Sequence, residues 1–68
     1  MKIQLNNNPE EFVGLEKVTV TELLRLKNFT FKLLVVKINN KPIGRDQYDT
    51  SVIHDGDDVL VIHLISGG

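Results

Sequence analysis

The segment DVLVIHLI, residues 58–65, carries apolar side chains on both of its faces for most of its length. A strand with so few polar positions lies in the interior of a sheet, flanked by other strands, and this one comes at the end of a 68-residue sequence. Neighbouring strands on both sides and a cover for at least one face are therefore expected elsewhere in the sequence.

The preceding segments offer those parts. MKIQL puts Met1, Ile3 and Leu5 on one face and Lys2 and Gln4 on the other, the period-two signature of a half-buried strand. NNNPEE is turn chemistry, so the chain is expected to reverse into a short second strand around EFVGLE, with Gly14 marking a bulge or early break. In VTVTELLRL, Thr19 and Glu22 fit a capping box, Val18 and Leu23 a hydrophobic staple, and Val20, Leu23, Leu24 and Lys27 one helical stripe. A helix from about Thr19 to Lys27 is predicted. FKLLVVKIN reads as a third strand, with Leu34, Val36 and Ile38 on one face and Leu33, Val35 and Lys37 on the other. NNKPIG reads as turn chemistry, RDQYDTS as a connector with a helical turn, and HDGDD as a tight turn before the last strand.

The order strand, strand, helix, strand, strand predicts an α+β domain: one mixed sheet of four to five strands with a single helix packed across one face. One helix covers one side only. Apolar residues on the other side would form a patch larger than a monomer normally leaves in water, which implies a protein partner. The domain is expected to span residues 1–64, with residues 65–68 as a flexible tail.

Composition excludes several functions. Eight basic and nine acidic side chains leave a formal charge of −1, without the basic cluster that follows a phosphate backbone, so nucleic acid is not expected as a partner. No stretch approaches a membrane span, Gln4 and Asn6 interrupt any signal-like opening, and the cytoplasm is the expected compartment. The sequence has no cysteine, which removes disulfides, thiolate metal sites and a cysteine nucleophile together. His54 and His63 are not spaced as paired metal ligands. The acidic runs at Glu10–Glu11, Asp46–Asp49 and Asp55–Asp58 lack the calcium-loop pattern and read as solvated turns. No phosphate loop or nucleophile elbow appears, so the chain is not expected to be an enzyme or to bind a cofactor itself.

The sequence closes on Ser66-Gly67-Gly68. A frayed end is the plain reading of such residues. Their position after a strand gives another: an arm without Cβ atoms can thread a narrow channel and let another enzyme's groups approach its carboxylate. A carboxylate is a poor electrophile, because at neutral pH it is an anion with no good leaving group. Transfer of AMP from ATP by a second enzyme would make an acyl-adenylate open to attack by sulfur or an amine. With no cysteine in the chain, carried sulfur would sit on the C-terminal carbonyl as a thiocarboxylate.

The openings MKIQLN and TVTELL, the central VKINNKPIGRDQY and the closing DGDDVLVIHLISGG resemble the ThiS-type sulfur carrier proteins of thiamine biosynthesis, members of the β-grasp, ubiquitin-like group, over essentially the whole sequence. The resemblance implies that Gly68 is adenylated by an E1-like enzyme (ThiF) using ATP and Mg²⁺. A sulfurtransferase or cysteine desulfurase then supplies sulfur for the thiocarboxylate, which thiazole synthase (ThiG) consumes in building the thiazole ring. Ser66 and Gly67 would complete the tail. The resemblance also places Val59 and Val61 toward the helix, a choice periodicity leaves open, and so turns Leu60, Ile62 and Leu64 to the uncovered face as the expected partner surface. Arg45 is a candidate to pair with an acidic partner group, or else a solvated surface arginine. The sequence departs from the family pattern at Ile43-Gly44-Arg45, where relatives often have Val-Pro before the arginine, and at Tyr48, where they often have tryptophan. A carrier of the molybdopterin-synthase type and a ubiquitin-like modifier would use the same activated glycine, whereas in a pure binding module the tail would be idle.

Overall fold

The computed structural model describes residues 1–29 and 33–64. Strands β1 (Lys2–Leu5), β2 (Asn8–Glu11), β3 (Lys17–Thr19), helix α1 (Val20–Leu26), and strands β4 (Leu34–Ile38), β5 (Lys41–Ile43), β6 (Val52–His54) and β7 (Asp58–His63) follow in chain order, with a 3₁₀ turn at Arg45–Gln47. Five strands form one sheet in the order β2-β1-β7-β4-β5, while β3 and β6 pair separately. The last strand occupies the centre of the main sheet, parallel to β1 and antiparallel to β4, as its two apolar faces require. The architecture is the expected mixed sheet with one helix, and it has five strands.

Two-residue asparagine turns set the register of both hairpins. Asn6 and Asn7 have φ of 52° and 66°, and Asn39 and Asn40 have 51° and 70°. Positive φ at both central residues is what a type I′ turn demands, and asparagine tolerates it better than other side-chain-bearing residues. The first turn closes so tightly that β2 begins at Asn8, earlier than the segment around EFVGLE that the sequence pointed to. Within that segment Gly14 has a φ of 86°, which breaks the extended run before β3 starts at Lys17. The second turn produces β5 from residues whose composition reads as turn alone.

Helix α1 starts as the capping box predicts. The Thr19 hydroxyl accepts from the Glu22 N–H at 3.1 Å, and the Glu22 carboxylate accepts from the Thr19 N–H at 2.9 Å. The N–H groups of Val20 and Thr21 donate to the Ser51 and Tyr48 carbonyls, both at 3.0 Å, tying the helix start to the loop before β6. At the other end the Lys27 ammonium pairs with the Glu10 carboxylate on β2. Val20 and Leu23 are fully enclosed, so the predicted stripe is the buried one.

The core joins Ile3, Leu5, Val36, Val59 and Val61 of the main sheet to Val20 and Leu23 of the helix. Leu34 and Ile38 pack against it half-buried. Val18 and Ile53, opposite each other in the β3–β6 ribbon, complete it. β6 is a strand that the sequence reading missed, placing only a connector and a turn there. The start expected for the third strand at Phe31 and the end expected for the last strand at Ile65 lie outside the described residues.

Candidate functional site

Alternation along β7 sorts its side chains into two sets. Val59 and Val61 are buried against the helix side, whereas Leu60 is half-buried and Ile62 and Leu64 are 40% and 46% exposed on the opposite side. The three residues expected to face away from the helix do so. Their neighbours on β4 extend the same surface. Lys37 stands opposite Leu60 and Val35 opposite Ile62, and the Leu64 N–H donates to the Leu33 carbonyl at 3.0 Å, bringing the 46% exposed Leu33 alongside. Leu33 and Val35 were not among the residues singled out for partner contact, although the alternation of FKLLVVKIN already placed them on one face with Lys37.

The surface has a direction. At the start of β7, Asp58, its ladder partner Gln4 and the neighbouring Lys37 make it polar, with Lys2 and Glu11 paired further out. A shallow cleft of about 220 Å³ lies there, lined by Asn7, Lys37, Asn40, Asp58 and Leu60. Toward Leu64 the described side chains of β4 and β7 on this face are apolar. Leu33, Val35, Leu60, Ile62 and Leu64 thus form a patch at the end of β7 that leads into residues 65–68, and burying such a patch contributes about 25 cal/mol per Å² before association costs. Ser66, Gly67 and Gly68 lie outside the described residues.

Arg45 is not part of this patch. It sits exposed on the 3₁₀ turn that follows β5, and in the sheet order β4 and β5 separate that turn from β7. Tyr48, whose N–H donates to the Arg45 carbonyl at 3.3 Å, is half-buried against the core.

The acidic turn of residues 54–58 organises backbone. Asp55 Oδ1 accepts from the Lys2 N–H at 2.6 Å, Asp57 Oδ2 from the His54 N–H at 2.9 Å, and Asp57 Oδ1 from the Asn39 side-chain amide at 3.1 Å. Asn39 Oδ1 returns the connection by accepting from the Asp58 N–H at 2.9 Å. Gly56, at a φ of 87°, allows the reversal and donates to the Lys2 carbonyl at 2.7 Å. Among the described residues no group of three His, Asp or Glu side chains is placed to hold a metal ion. The Glu22 carboxyl is held below the usual carboxylate range, chiefly by the Thr19 N–H and then by its hydroxyl. That shift belongs to the helix cap, away from the patch.

Comparison with known proteins adds to this geometry. The ThiS family model matches residues 3–68. The crystal structure of a thiamine biosynthesis protein, ThiS, from Geobacter metallireducens is similar with a TM-score of 0.87 and 32% identity, each chain covered over 100% of its length. An NMR solution structure of a thiamine biosynthesis protein from the same organism is similar with a TM-score of 0.78 and 32% identity, over 100% of this chain and 88% of that one. No curated protein matches the sequence significantly. The architecture of one helix on a mixed five-stranded sheet is thus the β-grasp fold.

Proposed function

Because the chain belongs to the ThiS family, we propose that it acts as a sulfur carrier in thiamine biosynthesis, a protein co-substrate rather than an enzyme. Gly68 is the reactive residue of this reading. A carboxylate oxygen of Gly68 attacks the α-phosphorus of ATP in the active site of an E1-like partner (ThiF), which supplies Mg²⁺, and pyrophosphate leaves. The terminal sulfur of a cysteine persulfide, delivered by a sulfurtransferase or cysteine desulfurase, then displaces AMP to give an acyl disulfide. A second thiol of the partner proteins attacks the cysteine sulfur, leaving with it as a disulfide and releasing the carbonyl-bound sulfur. The resulting thiocarboxylate donates its sulfur to thiazole synthase (ThiG). The chain's part is to present the tail: residues 1–64 serve as the handle and residues 65–68 as the arm that enters the partner's active site.

The observation that carries this reading is the continuity of three features along one strand. β7 is fixed in the middle of the sheet, its outer side chains form the apolar patch, and Gly67-Gly68 follow it closely in the sequence. A partner that grips Leu60, Ile62 and Leu64 is thereby aligned with the arm. Arg45, on a different rim, is assigned to a secondary contact with an acidic partner group. Among the described residues no helix is long and apolar enough to cross a membrane. The carrier reading goes with a cytoplasmic protein, where its ATP-using partner would work.

Intact-mass analysis tests the proposal. The chain incubated with its activating enzyme, ATP and a sulfur donor gains the mass difference between sulfur and oxygen, and fragmentation places it on Gly68. An unchanged mass, or a variant lacking Gly67 and Gly68 that restores growth to a thiamine-requiring strain as well as the intact chain, overturns it. A ladder of lysine adducts on immunoblots would instead mark a protein modifier.

A further inference from the structure

We propose that Asn6 is the positioning residue for the end of β7, the strand that leads to the tail; its role in the reaction rests on the sulfur-carrier reading above. In a parallel ladder a residue donates its N–H to one residue of the neighbouring strand and accepts, at its own carbonyl, the N–H two positions further on. Gln4 follows this pattern, donating to the Asp57 carbonyl at 3.0 Å while paired with Asp58. Two residues on, Asn6 donates to the Val59 carbonyl at 2.9 Å, so its own carbonyl is due to receive the Val61 N–H.

The backbone does not supply that acceptor. Asn6 has already turned into the left-handed region at φ 52°, and its carbonyl receives the Asn8 side-chain amide at 3.2 Å. Its side chain supplies the acceptor instead: Asn6 Oδ1 accepts from the Val61 N–H at 2.8 Å. One residue thus starts the hairpin turn and completes the rung that the turn would otherwise remove. Val61 is buried, so water is a poor substitute for the lost partner. Beyond this rung the ladder pairings of β7 among the described residues are with β4, at Val35–Ile62 and Leu34–His63. The Asn6 side chain therefore holds β7 from the β1 flank immediately before Ile62 and His63.

Few residues combine both duties. Glycine would keep the turn and remove the acceptor, whereas aspartate keeps the acceptor and tolerates the left-handed region. The test uses this pair, Asn6→Gly and Asn6→Asp, each checked for folding from its amide spectrum. In Asn6→Gly the Val61 amide exchanges at least about tenfold faster than in the parent, and the order parameters of Ile62 to Leu64 fall. Asn6→Asp stays close to the parent. With the E1-like enzyme and ATP, Asn6→Gly lowers kcat for adenylation by roughly five- to tenfold while KM changes less than about twofold, because the docking face is kept and only the aim of the tail is lost. Unchanged Val61 exchange and strand-end order in Asn6→Gly overturn the proposal, as does unchanged kcat beside a loosened strand end. Failure of the parent chain to be adenylated overturns the carrier reading and the reaction role with it, and the amide data then report the rung separately.

Discussion

Val35 and Ile62 stand directly opposite each other across β4 and β7, on the face that α1 leaves bare. Cross-strand apolar pairs of this kind stabilise a sheet modestly, by about 0.2–1 kcal/mol. Ile62 is exposed and Val35 half-buried, so apolar area remains on this pair for the proposed partner to cover.

Ile62→Lys separates the two contributions. On the proposed docking face it is expected to weaken binding to the proposed E1-like partner at least about tenfold, since an apolar side chain is replaced by a charge that docking would have to desolvate. The cost to folding is about 1 kcal/mol or less because Ile62 is already 40% exposed. Calorimetric titration and urea denaturation measure the two effects, and parent-like affinity would remove the patch from the docking surface.

The Thr19 cap is local and independent of partners. Thr19→Ala removes the hydroxyl that accepts the Glu22 N–H and is expected to cost about 1 kcal/mol. The midpoint of urea denaturation should fall with an unchanged slope, and an unchanged midpoint would show that the cap contributes nothing.

Glu22 makes part of that cap dependent on pH. Its folded-state pKa is depressed, so its contribution is present above the unfolded value and is lost as pH falls through the folded value. The stability difference between the parent and Glu22→Gln should therefore be present at neutral pH and shrink in acid. Denaturation series at several pH values follow it, and a difference independent of pH would contradict the assignment.

Ile53 tests whether the β3–β6 ribbon belongs to the core. It is fully buried opposite Val18, and Ile53→Ala is expected to cost about 2–5 kcal/mol through lost burial and a residual cavity. That is a large share of the roughly 5–15 kcal/mol that holds a domain together. A loss under about 1 kcal/mol would show that the ribbon packs loosely.

Gly44 occupies a proline-compatible position. Its φ is −71°, it follows a strand residue, and its N–H makes one long hydrogen bond of 3.4 Å to the Gln47 side chain. Gly44→Pro is expected to stabilise by about 0.5 kcal/mol by restricting the unfolded chain. A Cβ there meets Asp46 Oδ1 at 2.7 Å, but that atom ends an exposed side chain that can turn away. A lower unfolding temperature would show that it cannot.

The elements that were legible in the sequence had strong local codes. Thr19 and Glu22 mark the helix start at residue level, and the two apolar faces of DVLVIHLI place the last strand between others. β5 and β6 were missed because each is three residues long, too short for a period to declare itself. β2 was displaced because Asn6-Asn7 makes a two-residue turn, whereas Asn-Pro composition suggests a longer one. For the candidate site, Leu60, Ile62 and Leu64 followed from β7, but Leu33 and Val35 join them only through the antiparallel register of β4, which a single strand does not encode.

The strand that fills the middle of the sheet is also the last of the described strands in chain order. Until residues 58–63 emerge from the ribosome, β1 and β4 have no common neighbour, and a core that needs Val59 and Val61 cannot close. Folding must therefore wait for pairings of long sequence separation. A chain cut short before residue 58 would lack Val59 and Val61 from the core together with Gly67 and Gly68, so only a chain able to close its core would carry the glycines that the proposed reaction uses.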